Sequence, residues 1–356
     1  MQDTVIMKKD IRPQFHFTPK KGWINDPNGL CYANGVYHMF YQHYPDDTKW
    51  GPMHWGHATS KDLLSWEHQE IALYPTEDEY CFSGSAIIDD EGVMRLFYTS
   101  HNPKTGEQTQ SMAYSSDYIH FEKYNGNPII ENSKDSSCFK KDFRDPKVIK
   151  NKVKGGYTMV LAAGENIEFY SSSDFINWTY TGGFAPGKLG FGGICECPDL
   201  ISFPEKDVLT MSIIVNPGQE DEYHVMQYFV GYFDGDTFIN EQPFQPDQLL
   251  DFGDDNYAMV SFSGTDEVIL MGWGENWASA RANTNTEYFG KMTLARNASL
   301  LKVGNRYLIS QKPIVSDEKV VRLEAEGKVL ITVEDEGYVE IFAENGTKSL
   351  SWMSRQ

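Results

Sequence analysis

The sequence predicts an all-β protein: a five-bladed β-propeller followed by a short tail of β-strands. Three observations support this fold class. Short apolar runs alternate with a period of two and end near turn residues, and convincing long amphipathic helices are absent. A motif also repeats at an interval near 55 residues. A β-propeller, with one four-stranded sheet per blade, explains such a repeat, whereas a β-sandwich or a simple barrel does not.

The strand signal is clear in three segments: residues 36–41, 94–98 and 157–161. Each is rich in aromatic, aliphatic or β-branched residues, and Gly, Asn, Asp or Ser lies close to its ends. We therefore expect short strands joined by tight turns along the first 313 residues.

The repeat is carried by residues 60–67, 115–122 and 172–179, each of which contains a Ser, an Asp two positions later and an aromatic near its end. Asp62, Asp117 and Asp174 are therefore 55 and 57 residues apart. A looser copy follows at residues 232–238. The segment from Phe15 to Pro313 has room for five such units, and the repeated aromatic is expected to pin an outer strand.

After Pro313 the sequence changes to charged, alternating strands. We predict a catalytic propeller domain over residues 1–314 and a β-strand tail over residues 315–356. A segment of this length is too short to build an independent core. We therefore expect two or three hairpin strands that pack against the flank of the propeller.

Composition excludes several classes of function. The net charge of −20 argues against a nucleic acid or an anionic membrane as partner. The five cysteines form no paired framework, and residues 1–21 contain no apolar run of signal-peptide length, so we predict a cytoplasmic protein. Cys195 and Cys197 are too close together for a usual zinc site, and His54 and His57 on a strand favour packing or hydrogen bonding over metal binding.

A carboxylate sits within a stiff turn near the start of the chain. Residues 22–29 read Gly-Trp-Ile-Asn-Asp-Pro-Asn-Gly. Pro27 holds Asp26 in an extended conformation, and Asn28 with Gly29 turns the chain. Alone, this stretch is most simply explained as an exposed β-turn.

Two further acids have similar surroundings. Asp145 precedes Pro146, and Glu196 lies two residues before Pro198. In a propeller the inner strands of successive blades converge on one axial funnel, so acids that are distant in sequence can meet there. The three acids together therefore predict a single carboxylate site.

These motifs resemble a known family. Residues 23–29, 143–146 and 196–199 are similar to the three signature motifs of glycoside hydrolase family 32, the invertases, inulinases and levanases. Supporting matches lie at residues 40–42, 55–58 and 82–85. The resemblance implies a five-bladed propeller that hydrolyses β-fructofuranosides with retention, acting on sucrose and short fructo-oligosaccharides.

The resemblance also implies roles for individual residues. Asp26 resembles the nucleophile, Glu196 the general acid and base, and Asp145 the transition-state stabiliser. Packing three acids together raises at least one of their pKa values, which would favour Glu196 in its acid form, while Arg144 would keep Asp145 ionised. The residues that resemble the fructose-pocket lining are Asn25, Gln42, Trp50, Phe82 and Ser83. No metal and no organic cofactor are expected, because two carboxyls and water suffice for the reaction.

Two departures from the family leave questions open. The short tail replaces the β-sandwich that usually follows the propeller, so either a monomer or a homodimer is possible. Cys195 stands where many relatives carry a bulky residue, which predicts a wider leaving-group side. The alternatives are a sucrose-6-phosphate hydrolase, an exo-fructanase acting on inulin or levan, a fructosyltransferase, and more remotely a non-catalytic sugar-binding propeller.

Overall fold

The computed structural model describes residues 12–132, 140–325 and 328–354. Cys138 lies outside these ranges. The described chain is almost entirely β-structure, as the strand-type periodicity predicts. The strands are β1 (Gly22–Ala33), β2 (Val36–Tyr44), β3 (His54–Ser60), β4 (Glu67–His68), β5 (Tyr80–Ile88), β6 (Met94–His101), β7 (Gln108–Ser115), β8 (Glu122–Lys123), β9 (Phe143–Lys150), β10 (Tyr157–Ala163), β11 (Asn166–Ser172), β12 (Thr179–Phe184), β13 (Ile194–Ser202), β14 (Asp207–Val215), β15 (Tyr223–Phe233), β16 (Phe238–Asn240), β17 (Tyr257–Ser261), β18 (Val268–Trp273), β19 (Tyr288–Phe289), β20 (Arg296–Val303), β21 (Arg306–Pro313), β22 (Val320–Ala325), β23 (Lys328–Asp335), β24 (Tyr338–Ala343) and β25 (Lys348–Met353).

Helical structure is scarce in the same residues. The α-helix α1 spans Trp277–Arg281, and short 3₁₀ helices span Pro186–Lys188, Asp317–Lys319 and Glu344–Gly346. Asn276 caps α1 because its side chain accepts a hydrogen bond from the backbone N–H of Ser279, at 2.8 Å. Within the described residues, no helix has the length and apolar character that a membrane span requires.

The strands form six sheets in the described part of the chain. Their orders are β19-β1-β2-β3-β4, β5-β6-β7-β8, β9-β10-β11-β12, β13-β14-β15-β16, β17-β18-β20-β21 and β22-β23-β24-β25. The first strands of the earlier sheets contact one another in a closed ring: β1 with β5, β5 with β9, β9 with β13, β13 with β17, and β17 with β1. This arrangement fits a β-propeller.

The sequence repeat marks one recurring turn. It links β3 to β4, β7 to β8 and β11 to β12. In each case its Asp accepts two backbone N–H hydrogen bonds from the turn. In the third sheet, Asp174 accepts from Ile176 N at 2.9 Å and Asn177 N at 2.8 Å. The residue after each Asp has a positive φ: 64° at Leu63, 66° at Tyr118 and 66° at Phe175. The turn therefore depends on side-chain capping of the backbone.

The predicted outer aromatics and the looser repeat also have structural counterparts. Trp66, Phe121 and Trp178 pack against three different apolar clusters next to this turn. In the fourth sheet Asp234 caps the equivalent turn between β15 and β16, accepting from Asp236 N at 2.9 Å and Thr237 N at 2.8 Å.

The last sheet is larger than the sequence suggested. It has four strands, not two or three, because the short β25 completes it. The fourth strand was missed because it buries Ser349 and Ser351, not a strong apolar pattern. Ile331, Val333 and Phe342 pack this sheet against Leu294, which precedes β20.

Buried charges join this sheet to the rest of the molecule. Arg296 is fully buried and pairs with Asp251 at 2.9 Å and with Glu340 at 2.7 Å. His16 lies 3.0 Å from the other oxygen of Glu340 and 2.8 Å from Asp335. Because each charge has an opposite partner, the network avoids the large cost of isolated buried charge.

The histidines and cysteines singled out above have packing roles. His57 stacks on Phe40 with 4.3 Å between ring centroids, and its Nε2 lies 3.1 Å from Nδ1 of His38. Nδ1 of His54 lies 2.9 Å from the carbonyl oxygen of Pro52. The expectation of packing and hydrogen bonding is confirmed for both. The four described cysteines are buried and form no disulfide.

Candidate active site

The five strands of the inner ring share one irregularity. Each of β1, β5, β9, β13 and β17 has a β-bulge or irregularity in its pairing with the next strand of its sheet. The shifts lie between Ile24 and Pro27, Phe82 and Gly84, Arg144 and Lys147, Glu196 and Asp199, and Tyr257 and Val260. A bulge redirects side chains and ends regular pairing. Here it brings side chains of five distant segments towards one place near the starts of the strands.

The backbone is unusual at the same level. Asp145, Cys197 and Ala258 have positive φ values of 64°, 44° and 54°. Residues with side chains rarely adopt this conformation, which costs about 1–2 kcal/mol per residue. Prolines follow Asp145 and Cys197 directly. The acids are therefore held by a constrained backbone.

All nine sequence-predicted site residues line one cleft. Its volume is about 320 Å³, and its lining consists of Asn25, Asp26, Gln42, Trp50, Phe82, Ser83, Arg144, Asp145, Glu196 and Trp277. The cleft contains three carboxyls and one guanidinium, with aromatic side chains forming part of its walls.

Asp26 is surrounded by hydrogen-bond donors. Ser83 Oγ donates to Asp26 Oδ2 at 2.6 Å. Burial raises the pKa of Asp26, and the charge of Glu196 raises it further, while the bonds from Ser83 and Asn25 act in the opposite direction. Asn25 is itself oriented by Trp23, whose Nε1 donates to Asn25 Oδ1 at 2.7 Å.

Cys197 lies between Asp26 and Asp145. Its Sγ is 3.7 Å from Asp26 Oδ2 and 3.7 Å from Asp145 Oδ2. Its backbone N–H donates to Asp145 Oδ2 at 2.9 Å. Burial raises the pKa of Asp145 to about 7, although the charge of Arg144 acts to lower it. It also raises the pKa of the Cys197 thiol, and the neighbouring carboxylates add to that effect.

Glu196 is bound on both sides. Arg144 Nη2 donates to Glu196 Oε1 at 3.0 Å, and the Tyr257 hydroxyl donates to Glu196 Oε2 at 2.7 Å. Arg144 Nη1 pairs with Asp142 at 2.8 Å. Arg144 was expected to compensate the charge of Asp145, and its charge does act to lower the pKa of that carboxyl. Its hydrogen bonds, however, go to Asp142 and Glu196.

Three carboxyls line this cleft, and sequence similarity identifies the family. The profile of the glycosyl hydrolases family 32 N-terminal domain matches residues 16–313. This chain belongs to glycoside hydrolase family 32. Among the described residues of this family 32 chain, no group of three or more His, Cys, Asp or Glu side chains is placed to hold a metal ion.

The relatives of this family 32 chain include a levanase and an exo-inulinase. The chain is 40% identical over 338 residues to a levanase from Bacillus subtilis, covering 89% of this chain and 49% of the levanase. It is 36% identical to an extracellular exo-inulinase from Meyerozyma guilliermondii, covering 98% and 71%. The family 32 chain therefore spans only about half the length of the levanase.

Solved structures share the fold. A β-fructofuranosidase from Schwanniomyces occidentalis, complexed with fructosyl-erythritol, superposes with a TM-score of 0.84 at 25% identity, covering 97% of this chain and 91% of that one. An exo-inulinase from Aspergillus awamori superposes with a TM-score of 0.86 at 24% identity, covering 96% and 92%. At such identity the second likeness supports the fold alone.

Two residues of the family 32 site were missed from the sequence. Trp277 opens the helix α1 and stacks on Trp23, with centroids 6.0 Å apart. Tyr257 begins β17 and reaches Glu196. Neither has a proline-flanked acid beside it, so no local signal marks it. Trp277 starts a short helix in the long connection between β18 and β19, and the sequence does not indicate that this helix reaches the cleft.

One predicted consequence is wrong. Cys195 does not shape the leaving-group side of the cleft, because its side chain is fully buried in an apolar cluster with Phe169 and Leu209. Neighbouring residues of a strand point to opposite faces, and Glu196 is the one that faces the cleft.

Proposed function

We propose that this chain is a retaining β-fructosidase that removes terminal β-D-fructofuranosyl residues from sucrose and short fructo-oligosaccharides. The observation that carries the proposal is the convergence of Asp26, Asp145 and Glu196 on one cleft, with Cys197 touching the first two. A lectin gains nothing from a carboxyl bound by Arg144 and Tyr257 beside a second, hydrogen-bonded carboxylate.

In the first step, Asp26 acts as nucleophile. Its carboxylate forms a bond to the anomeric carbon of the fructosyl unit, while the bond from that carbon to the glycosidic oxygen breaks. Glu196 gives its proton to the departing oxygen. Ser83, at 2.6 Å, stabilises the ionised form of Asp26 before attack.

In the second step, water resolves the intermediate. Glu196, now a carboxylate, takes a proton from water as the water oxygen attacks the anomeric carbon. The ester bond to Asp26 breaks, so the fructose leaves with retained configuration and both carboxyls return to their starting states. Asp145 bonds sugar hydroxyls and stabilises the transition state, a role that suits its fixed backbone and its bond from Cys197.

The charges of the cleft favour an uncharged substrate. Arg144 is the one cation among the side chains that line it, and this guanidinium is already bound to Asp142 and Glu196. A phosphate would therefore compete with two carboxylates. The levanase and exo-inulinase relatives make levan and inulin the natural further substrates to test.

We propose that the five sheets of the ring are five propeller blades and that residues 315–356 form the reduced remnant of a C-terminal module. The ring contacts of the inner strands and the separate four-stranded sheet support this. The oligomeric state, monomer or homodimer, stays a prediction that sedimentation velocity would decide.

We also propose a cytoplasmic location, supported by the buried, unbonded state of the four described cysteines. The exo-inulinase relative is described as extracellular, so the location needs its own test. Activity should appear in the cytosolic fraction of cells that express the natural gene. Activity found only in the medium would contradict this location.

The deciding experiment measures free fructose released from sucrose, raffinose, inulin and levan, for wild type, Asp26→Asn and Glu196→Gln. Asp26→Asn should abolish release from every substrate, because no intermediate can form. Glu196→Gln should lower release from sucrose by about 10³-fold or more, yet harm the first step less on a fructoside whose leaving group departs without a proton. A trapped glycosyl-enzyme that maps to any residue other than Asp26 would overturn the assignment.

A further inference from the structure

The segment before β17 is bound to the last sheet at three points. Asp255 lies between β16 and β17 and is 2% exposed. Its backbone N–H donates to the Ser351 carbonyl at 3.0 Å, and its own carbonyl oxygen accepts from the Tyr338 hydroxyl at 2.7 Å. Its carboxylate Oδ2 accepts the backbone N–H of Met353 at 2.7 Å. Strands β24 and β25 therefore fix the position of this residue.

The other carboxylate oxygen of Asp255 faces the helix α1. Asp255 Oδ1 accepts a hydrogen bond from Asn276 Nδ2. Asn276 is the N-cap of α1, and the next residue, Trp277, lines the cleft. Because a carboxylate can accept hydrogen bonds at both oxygens, this one side chain connects the last sheet to the start of α1.

A second set of contacts holds the same helix. Lys291 pairs with Glu275, the residue before Asn276, and the two side chains are 4% and 10% exposed. Lys291 Nζ also lies 4.8 Å from the centroid of the Tyr338 ring. The helix α1 has five residues, and isolated helices of that length are not stable in water. Its position therefore depends on these contacts with the surrounding structure.

We propose that Asp255 is a positioning residue through which the last sheet holds the Trp277 wall of the cleft in place. This inference rests on the proposed function. Trp277 stacks on Trp23 with ring centroids 6.0 Å apart, and Trp23 orients Asn25 beside Asp26. A displacement of α1 would therefore loosen both the cleft wall and the support of a neighbour of the nucleophile.

The test removes the bond to Asp255 and keeps the helix cap. In Asn276→Ser the serine caps a helix about as well as asparagine, but its shorter side chain lacks the amide that reaches Asp255. A loosened wall weakens the binding of substrate and transition state alike. For the fructoside that the wild type hydrolyses fastest, KM should therefore rise about fivefold, with kcat changed less than about twofold. A lower kcat at an unchanged KM would indicate only a loss of folded enzyme and would contradict the inference.

A matched control and a double-mutant cycle identify the group through which Asn276 acts. Asn297→Ser removes a bond of the same kind on β20, from the Asn297 amide to the Glu267 carboxylate, and should leave both constants unchanged. In a Trp277→Ala background, Asn276→Ser should change kcat/KM less than about 1.5-fold, because its effect is transmitted by Trp277. Losses that simply multiply in the double variant would overturn the inference.

Fluorine NMR tests the same coupling without substrate. In the full chain labelled with 5-fluorotryptophan, Trp277→Phe identifies the Trp277 resonance among the eight tryptophans. Asp255→Asn leaves one oxygen for two donors, the Asn276 amide and the Met353 N–H, so it breaks the connection between sheet and helix. The Trp277 resonance should shift or broaden in Asp255→Asn and stay unchanged in Asn297→Ser.

The two kinds of failure are distinguishable. If the wild type hydrolysed no fructoside, the proposed function would fail, while the fluorine spectra would still measure the coupling. A Trp277 resonance that keeps its position and width in Asp255→Asn would show that the last sheet does not position this side chain, whatever the enzyme hydrolyses.

Discussion

Single residues of the cleft gain their chemistry from burial. Burial raises the pKa of Asp26 above its ordinary value and that of Asp145 to about 7. The burial that raises these two pKa values also removes the carboxylates from water, so it lowers the stability of the fold at neutral pH.

Ser83→Ala should move the acidic limb of the pH profile of kcat/KM upwards. The nucleophile must be ionised, so activity falls as the pH drops through the raised pKa of Asp26. Loss of the hydroxyl at 2.6 Å removes a bond that favours the ionised form and raises that pKa further. We expect a shift of about 0.5–1 pH unit. A limb that stays in place would mean that Asp26 does not control it.

Asp145→Asn should raise stability while it cripples turnover. The folded pKa of Asp145 is about 7 and its ordinary value is 3.8, so its contribution to stability is lost as pH rises from about 4 to about 7. Asparagine removes that cost and still accepts the N–H of Cys197. At pH 7 we expect a gain of about 1–3 kcal/mol in chemical denaturation. A variant less stable than wild type at pH 7 would contradict this.

At the scale of elements, the repeated turn stabilises each outer strand. Asp174 binds two backbone N–H groups, the side chain of Asn177 and the hydroxyl of Ser172. The turn also places Phe175 in the αL region, so its loss should expose strain as well as unpaired donors.

Asp174→Ala should destabilise the protein by about 1–2 kcal/mol, by analogy with the removal of a helix cap. Thermal unfolding of the variant measures the loss. Glu220→Ala, at an exposed carboxylate of the β14–β15 loop, serves as control and should change the midpoint little. Equal midpoints for both variants would show that the repeated aspartate of the turn has no energetic role.

The elements also show why sequence reasoning reached part of the site. Prolines flank Asp26, Asp145 and Glu196 because each acid sits where regular pairing stops, and this signal is local. The nine predicted lining residues consequently meet in one cleft. The contacts of Tyr257 and Arg144 with Glu196 join different strands, and no local pattern encodes them. The fourth strand of the last sheet was missed for a similar reason, since its buried serines bond to Asp251 and Leu250.

For the whole molecule, the buried network around Arg296 determines how the last sheet is held. Glu340→Gln should cost about 3–5 kcal/mol, because the fully buried Arg296 keeps its charge and loses one of its two carboxylate partners. Urea unfolding measures the change. Glu324→Gln, an exposed glutamate of the same sheet, is the matched control. Similar losses in the two variants would contradict a special role for the network.

The same network makes stability depend on pH. Burial acts to lower the pKa of His16, but its bonds to Asp335 and Glu340 outweigh that effect and raise it above 6.5. This stabilisation is complete below about pH 6.5 and is lost as pH rises through the folded pKa. His16→Gln should therefore flatten the decline of the melting temperature above pH 6.5. A variant that keeps the wild-type slope would assign the decline to other groups.

The closed ring of inner strands also determines when the protein can finish folding during its synthesis. β1 carries Asp26 and is synthesised among the first strands, yet two of its neighbours, β17 and β19, lie more than 220 residues later. Until those residues leave the ribosome, the edge of β1 has no partner and the nucleophile has no finished cleft. Folding is therefore dominated by late, long-range closure, which is intrinsically slow. Catalytic competence should consequently appear in one step with the last blade, and not accumulate blade by blade.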